Sequence, residues 1–344
     1  MSSTKKAPPR SRATGRITLA DVARLAQVSP ITVSRALRGE RAVDAQLVAR
    51  VQAAAKELGY VPDPAARALA SRHSAQVVVL IPLLSNALFV DVLEAVQRTL
   101  RPAGYQMLMG VTHYNADEEE YLLRELLQHR PAGLLVTGFE RNDATRQMMA
   151  ASGIPCVHLM ELSGAEGVYS VGFSQRDAGA EMTRHLLQRG KRHIAFAGAQ
   201  LDPRTLQRLT GWREELTQAD RYDPQLEWLN PEPSSMALGG DMLEQILQKQ
   251  PDVDAIFFCN DDLAQGALLA ALRLGLQVPQ RVAIAGFNDL TGSDQMLPTL
   301  TTVHTPRSEI GSAAAAMLVA LMNGDSVPSP SIDLGYQLVV RAST

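Results

Sequence analysis

Six residues within one seven-residue stretch, Ser29, Pro30, Ile31, Thr32, Ser34 and Arg35, combine hydroxyls, bare apolar surface and a guanidinium. Arg35 has the reach and the paired donors to meet guanine O6 and N7, a contact that discriminates by about 1–3 kcal/mol. Pro30 and Ile31 carry no side-chain donors and could meet only apolar edges such as a thymine methyl. Thr32 and Ser34 are better suited to phosphate oxygens. A second polar set is spread along the rest of the chain: Ser85, Asn86 and Phe89, then Thr137, Glu161 and Phe173, then Arg204 and Arg208, and finally Asn260-Asp261 and Asn288-Asp289. Amides, carboxylates and guanidinium groups beside an aromatic platform suit a polyhydroxylated ligand. Paired arginines favour one that carries a carboxylate, because the guanidinium fork matches it bidentately.

Catalytic chemistry finds no comparable foothold. The chain lacks G-x-S-x-G, G-x-x-x-x-G-K-[ST], H-E-x-x-H and G-x-G-x-x-G. His113, His158, His185 and His193 are scattered without metal-ligand spacing. The reading is therefore no enzyme, no catalytic residue, no cofactor and no metal.

The elements that must hold these residues are legible in the pattern. Thr18 is a good N-cap with Asp21 at N3, and Leu19, Val22, Ala23 and Ala26 recur at helical spacing. A second start follows at once, with Ser29 as N-cap and Pro30 at N1, and that helix stops near Gly39. A third begins at Asp44, carries Leu47, Val51, Ala55 and Leu58, and ends at Gly59. Two short helices across a tight turn, closed by a third, predict a helix-turn-helix over 17–60, whose second helix enters the major groove. On residues alone the same stretch also fits a plain three-helix bundle. Tyr60-Val61-Pro62-Asp63-Pro64 then breaks the chain before a short helix, Ala65 to Ser71. Two turns of helix are too short to stand alone in water, and Leu69 is its only large apolar residue.

From Gln76 the pattern changes to apolar runs alternating with amphipathic segments. VVVLIP (77–82), GYQMLMG (104–110), GLLVTG (133–138), IPCVHLM (154–160), HIAFAG (193–198), AIFFCN (255–260) and VAIAGF (282–287) read as buried parallel strands. Segments 88–101, 117–129 and 176–189 lie between them as helices. Alternating βαβ units predict doubly wound parallel sheets, enough for two lobes, with ligands at the carboxyl ends of the strands.

Charge separates the two regions. Residues 1–73 hold 13 Lys+Arg against 5 Asp+Glu, and the remaining residues hold 20 against 31. A basic module on an acidic body implies a polyanionic partner at one end only. Residues 1–16, basic and without an acid, read as a disordered tail. Two cysteines, Cys156 and Cys259, cannot build a disulfide framework. With no apolar leader and no apolar run near the ~20 residues of a membrane span, a cytoplasmic location is expected.

The stretch ITLADVARLAQVSPITVSRALRGERAVDAQLVARVQAAAKELGYVPDPAARALAS resembles the headpiece of the lactose/galactose repressor (LacI/GalR) family over its full length. D-V-A-x-x-A-x-V-S, T-V-S-R, L-G-Y-x-P and A-x-x-L carry the resemblance together. It implies DNA contacts at Thr18, Ser29, Pro30, Ile31, Thr32, Ser34, Arg35, Arg38 and Tyr60. It also implies a hinge helix that folds on operator DNA, with Ala66 and Leu69 as its DNA contacts and Leu69 entering the minor groove. Leu69 would act as a wedge at the centre of a palindrome, kinking the duplex. Asp44 and Asp63 depart from the family's usual neutral residues near phosphates.

FCNDDLAQGALLAALRLGLQVPQRVAIAGFNDL and LGYQLVVRAST resemble the same family's sensor core, which is similar to type I periplasmic sugar-binding proteins. The fold class expected is thus α/β: an all-α helix-turn-helix headpiece plus a two-lobed, periplasmic-binding-protein-like core of doubly wound parallel sheets. The boundaries expected are a headpiece at 17–60, a hinge linker at 61–73 and a core at 74–344. Within the core, the first lobe takes about 74–171 plus 299–328, and the second about 172–298 plus 329–344. IPLLSNALFVDVL, IPCVHLMEL, VGFS, GAQLDPRT, NDDLA and HTPRSEIGS resemble, more narrowly, gluconate and 2-ketogluconate repressors. That resemblance implies a sugar-acid effector with Arg204 and Arg208 facing its carboxylate. Asn86, Phe89, Thr137, Glu161, Phe173, Asn260, Asp261 and Asn288 complete the expected site, Asn288 standing where relatives often carry Asp or His.

The function expected is an allosteric transcriptional repressor, dimeric on a palindromic operator and released by the sugar acid. A neutral sugar or purine acting as inducer or corepressor is the alternative within that class. A solute-binding protein of a transport system would share the two lobes but would need an export signal and no basic headpiece. The chain runs out at Thr344 without an added heptad segment, so a dimer is expected rather than a tetramer.

Overall fold

Thr18 and Asp21 do open the first helix, and they do it reciprocally. In the computed structural model, which describes residues 17–37, 44–61, 74–85 and 87–344, the Asp21 carboxylate accepts from the Thr18 N–H at 2.9 Å and from its hydroxyl at 2.7 Å. The hydroxyl and N–H of Thr18 hold the Asp21 carboxyl below its usual range. Helix α1, Leu19–Ala26, ends at Gln27 in the left-handed region (φ 53°). Helix α2, Pro30–Leu37, starts on Ser29, whose Oγ accepts from the Thr32 N–H at 3.1 Å. Helix α3, Ala45–Leu58, is capped by Asp44, which accepts from the N–H groups of Gln46 and Leu47, and it stops at Gly59 (φ 64°). Val22, Val33 and Val51 are fully buried between the three, each side chain contributing about 1.5–3 kcal/mol by leaving water. The expected tail at 1–16, the hinge helix, Asp63, Arg38, Ala66 and Leu69 lie outside the described residues.

The chain divides at Ser74 into two units. In the second, strands β1 (Gln76–Ile81), β2 (Gln106–Val111), β3 (Gly133–Thr137), β4 (Cys156–Met160) and β5 (Tyr169–Gly172) alternate with helices α4 (Ala87–Leu100), α5 (Ala116–Leu127) and α6 (Asp143–Ser152). The pattern then repeats with helix α7 (Gln175–Gln188), β6 (Ile194–Ala199), α8 (Pro203–Gln218), β7 (Glu227–Asn230), α9 (Met236–Lys249), β8 (Ala255–Phe258), α10 (Asp261–Leu274) and β9 (Ala283–Ala285). The last elements are β10 (Thr302–His304), α11 (Arg307–Asn323), β11 (Ser331–Asp333) and β12 (Gln337–Val339). One sheet runs β11-β5-β4-β3-β1-β2 and a second runs β7-β6-β8-β9, all pairs parallel, while β10 and β12 pair antiparallel. Two doubly wound sheets follow from near-continuous burial of β1, β3, β6 and β8, as strands covered on both faces require.

The expected return of the chain to the first lobe over 299–328 is corrected by the pairing. Thr301 bridges Ala285, and β10 pairs with β12, so the chain stays with the second lobe through His304. Helix α11 then packs on α4, β3, β4 and β5. Strand β11 adds to the first sheet beside β5, so the first lobe keeps the chain to Asp333 rather than 328. Strands of three residues are too short to show a period of two, which hid both crossings.

Candidate effector site and DNA-reading surface

The carboxyl ends of β1, β2, β3, β4 and β6 face one cavity of about 440 Å³ in the second unit. Doubly wound sheets place ligands there, because the loops leaving those strand ends leave a crevice. Thr137, Glu161 and Arg204 line it, together with Tyr114, Gln200, Asp202 and Arg141.

Arg204 stands in the first turn of α8, just after Asp202, the residue that caps the helix. Its Nε donates to Asp202 Oδ1 at 3.1 Å and its Nη2 to the Tyr114 hydroxyl at 2.9 Å. The guanidinium carbon lies 5.8 Å from the Phe89 ring centre and 5.7 Å from that of Tyr114. Burial works against the charge, but Asp202, Tyr114 and Glu161 together hold Arg204 more firmly protonated than usual. Burial works against the Asp202 carboxylate too, but Arg204 and Arg208 keep its pKa below the ordinary range.

Arg208, one turn along α8, does not line this cavity. Its Nε donates to Gln175 Oε1 at 2.9 Å and its Nη1 to the Cys259 carbonyl at 2.5 Å. It lies over the Phe287 ring, 3.9 Å from the centre, and burial lowers its pKa. Two glycines bring α7 and α8 close enough for this. A Cβ at Gly179 would stand 2.5 Å from the Arg208 carbonyl oxygen, and one at Gly211 would stand 2.0 Å from that of Arg176.

The other expected contacts divide. Thr137 lines the cavity, but its hydroxyl donates to the Leu80 carbonyl. Glu161 accepts from Gln207 Nε2 at 2.6 Å, and burial raises its carboxyl pKa. Phe89 is fully buried behind Arg204. Phe173 packs on Phe287 and Tyr336 away from the cavity, so the platform under an arginine is Phe287 instead. Asn260 caps α10 and exchanges hydrogen bonds with Ser234. Asp261 is corrected from ligand contact to internal tie. Its Oδ1 accepts from Thr302, its Oδ2 accepts from the Leu290 N–H and from Ser293, and burial pushes its pKa up to about 6. Asn288 is buried, its backbone is left-handed (φ 108°), and its Oδ1 has no hydrogen-bond partner. Backbone strain and an orphaned acceptor thus coincide at Asn288, which is not among the residues lining the cavity. Asn86 lies outside the described residues.

Sequence reasoning missed several cavity residues, Tyr114, Gln200, Asp202, Arg141 and Glu119 among them. Tyr114 and Gln200 sit just beyond β2 and β6, where the strand-end rule could have flagged them. Arg141 and Glu119 form an ion pair at 2.6 Å, and Arg141 also donates to the carbonyls of Gly138 and Thr137. That pair buttresses the wall, and no local pattern announces it.

In the first unit, Pro30, Ile31 and Arg35 are exposed along α2, Ile31 with 66% of its surface open, while Thr32 and Ser34 are half-buried. Ser29 and Thr32 share a hydrogen bond of 2.8 Å, so part of their capacity goes to the cap. Thr18 and Tyr60 are half-buried at the ends of α1 and α3.

Residues 18–63 match the model of the bacterial regulatory proteins of the lacI family, and residues 183–344 match a periplasmic binding protein-like domain. The chain is 54% identical to the HTH-type transcriptional regulator GntR of Pseudomonas aeruginosa, across 97% of both proteins. The chain belongs to the lacI family. Within it, the Escherichia coli HTH-type transcriptional regulator GntR is 36% identical over 93% of this chain and 96% of its own. The crystal structure of transcription regulator GntR from Chromobacterium violaceum covers 78% of this chain and 98% of its own, at 50% identity and a TM-score of 0.77. A lac repressor dimer bound to operator and an anti-inducer covers 95% and 99%, at 25% identity and a TM-score of 0.84. This lacI-family chain is therefore a DNA-binding transcription regulator with a helix-turn-helix headpiece and a two-lobed core. Among the described residues no helix is long and apolar enough to cross a membrane.

Proposed function

We propose that this regulator is a cytoplasmic repressor, dimeric on a palindromic operator, which a sugar acid of the gluconate or 2-ketogluconate type releases. The observation that carries the reading is Arg204, a buried guanidinium at the cavity wall beside the Tyr114 phenol. Asp202 holds it there through its Nε, and the Asp202 carboxyl stays ionised although it is buried. Burial makes ionisation of the facing Glu161 costly. A ligand carboxylate suits the guanidinium, and the orphaned acceptor of Gln200 in the same cavity suits a hydroxyl. The resemblance to gluconate and 2-ketogluconate repressors points the same way.

Regulation is then linkage. The effector shifts the DNA-bound state only by as much as it prefers the other arrangement of the lobes, and about 1–3 kcal/mol gives roughly 5–150-fold relief. Thermal shift and calorimetry with gluconate, 2-ketogluconate, related aldonates, neutral sugars and purines test the ligand class. The acids alone raise the melting temperature and free the operator in a footprinting titration. Stabilisation by a neutral sugar or purine instead would overturn the sugar-acid reading, and tightening of operator binding by the acid would make it a corepressor.

A further inference from the structure

We propose that Tyr114 determines ligand specificity in this cleft, its phenol O–H donating to the acidic group of the ligand while Gln200 Oε1 accepts from one of its hydroxyls. The inference rests on the sugar-acid reading and extends it to residues outside the expected site.

Tyr114 is built into place. Beyond β2, the Thr112 N–H donates to the Ile81 carbonyl at 3.0 Å, and the His113 N–H donates to that of Pro82 at 2.9 Å. The Asn115 N–H closes the turn on the Thr112 carbonyl at 2.8 Å, and the Asn115 side chain then caps α5. His113 and Tyr114 both lie in the left-handed region, at φ 48° and 56°. Non-glycine residues adopt that conformation at a cost, and adjacent pairs of them persist where the surroundings fix a side chain for use. The outcome is a phenol from the first lobe that reaches Arg204 on α8 of the second, at the cavity wall.

The direction of that hydrogen bond sets the chemistry. A guanidinium has only donors, so the Tyr114 oxygen accepts from Arg204 Nη2. Its own hydrogen remains to be given, and the arginine polarises it, which strengthens donation to an anion. Burial pushes the phenol pKa up to about 12, so the O–H stays in place at neutral pH. Gln200 is the complement. It lines the same cavity, its backbone is left-handed (φ 66°), and its Oε1 is buried with no hydrogen-bond partner. A carboxylate or a keto oxygen beside it can only accept, whereas a hydroxyl can also donate. The cavity wall therefore reads acceptors at Tyr114 and donors at Gln200.

Tyr114→Phe removes the O–H and keeps the ring beside Arg204. Calorimetry on the full chain compares gluconate, 2-ketogluconate and the neutral alditol glucitol. The expected result is a roughly ten- to hundredfold loss of affinity for the acids, the size of a hydrogen bond to a charged group. Glucitol affinity stays within about threefold, or below detection in both proteins. Gln200→Leu gives the contrast, weakening acid and alditol alike. Acid affinity of Tyr114→Phe within about threefold of the unaltered chain, or equal losses for acid and alditol, overturns the inference alone. Failure of the unaltered chain to bind any sugar acid overturns the ligand reading and this inference with it.

Discussion

The guanidinium carbon of Arg208 sits 3.9 Å from the centre of the Phe287 ring, with Nε and Nη1 tied to Gln175 and to the Cys259 carbonyl. A desolvated cation on a ring contributes about 2 kcal/mol, and the fork geometry is what an ammonium cannot reproduce. Arg208 stands outside the cavity and acts on it through α8, which carries Arg204, so Arg208→Lys is expected to weaken effector affinity about tenfold and Arg208→Ala by more. Ligand-free operator affinity stays unchanged in both. Calorimetry checks both, and an unchanged isotherm for Arg208→Ala would show that this tie does not set the cavity wall.

Arg204 was legible at the cavity because a guanidinium just past a strand end has few other uses, whereas Arg208, four residues on, stands outside the cavity and is tied to Gln175 and the Cys259 carbonyl. The helix-turn-helix was legible because each start carries its own cap: Thr18, Ser29 and Asp44 all bond the residues their types predict. Asp261 misled because a carboxylate at a strand end reads the same whether it faces a ligand or its own loop. Only the partners Thr302, Leu290 and Ser293, distant in sequence, distinguish the two. Tyr114 was invisible for a related reason: its role depends on a turn conformation and on an arginine 90 positions away. The crossings at His304 and Asp333 escaped because pairing, not periodicity, defines three-residue strands.

Close approach of α7 and α8 gives a stability prediction. A Cβ at Gly211 would stand 2.0 Å from the Arg176 carbonyl oxygen and 2.7 Å from the Ala180 nitrogen, both backbone atoms that cannot rotate away. Gly211→Ala is expected to cost about 3 kcal/mol, the upper part of the range for overpacking. Because separating the helices moves Arg208, effector affinity falls as well. Urea unfolding gives the stability; a variant within about 0.5 kcal/mol of the parent would mean the helices part freely.

On α2, Arg35 is exposed beside Ile31, on the surface proposed to read bases. Arg35→Ala is expected to cost about 1–3 kcal/mol of operator affinity and to relax the preference at one base pair per half-site. Binding selections on randomised sites show this as one levelled position. Uniform weakening across all sequences, with a shallower salt slope, would assign Arg35 to phosphate instead.

His158 makes stability depend on pH. Its ring stacks on Phe139 at 4.4 Å, and its Nδ1 lies 2.7 Å from the Gly138 carbonyl, so that nitrogen carries the proton of the neutral ring. Burial lowers its pKa to about 4; the Gly138 carbonyl opposes the shift and Arg141 adds to it. An imidazole depressed from 6.5 binds protons more readily when the chain unfolds. The stability it contributes is complete above about pH 6.5, and is lost as the pH falls through that value toward 4. By pH 5 the loss amounts to about 2 kcal/mol. His158→Gln keeps a donor for the Gly138 carbonyl and cannot be protonated. Its unfolding free energy is therefore expected to fall less than the parent's between pH 7.5 and 5, by about that 2 kcal/mol. Equal slopes for the two proteins in urea titrations would show that the ring takes up its proton without unfolding.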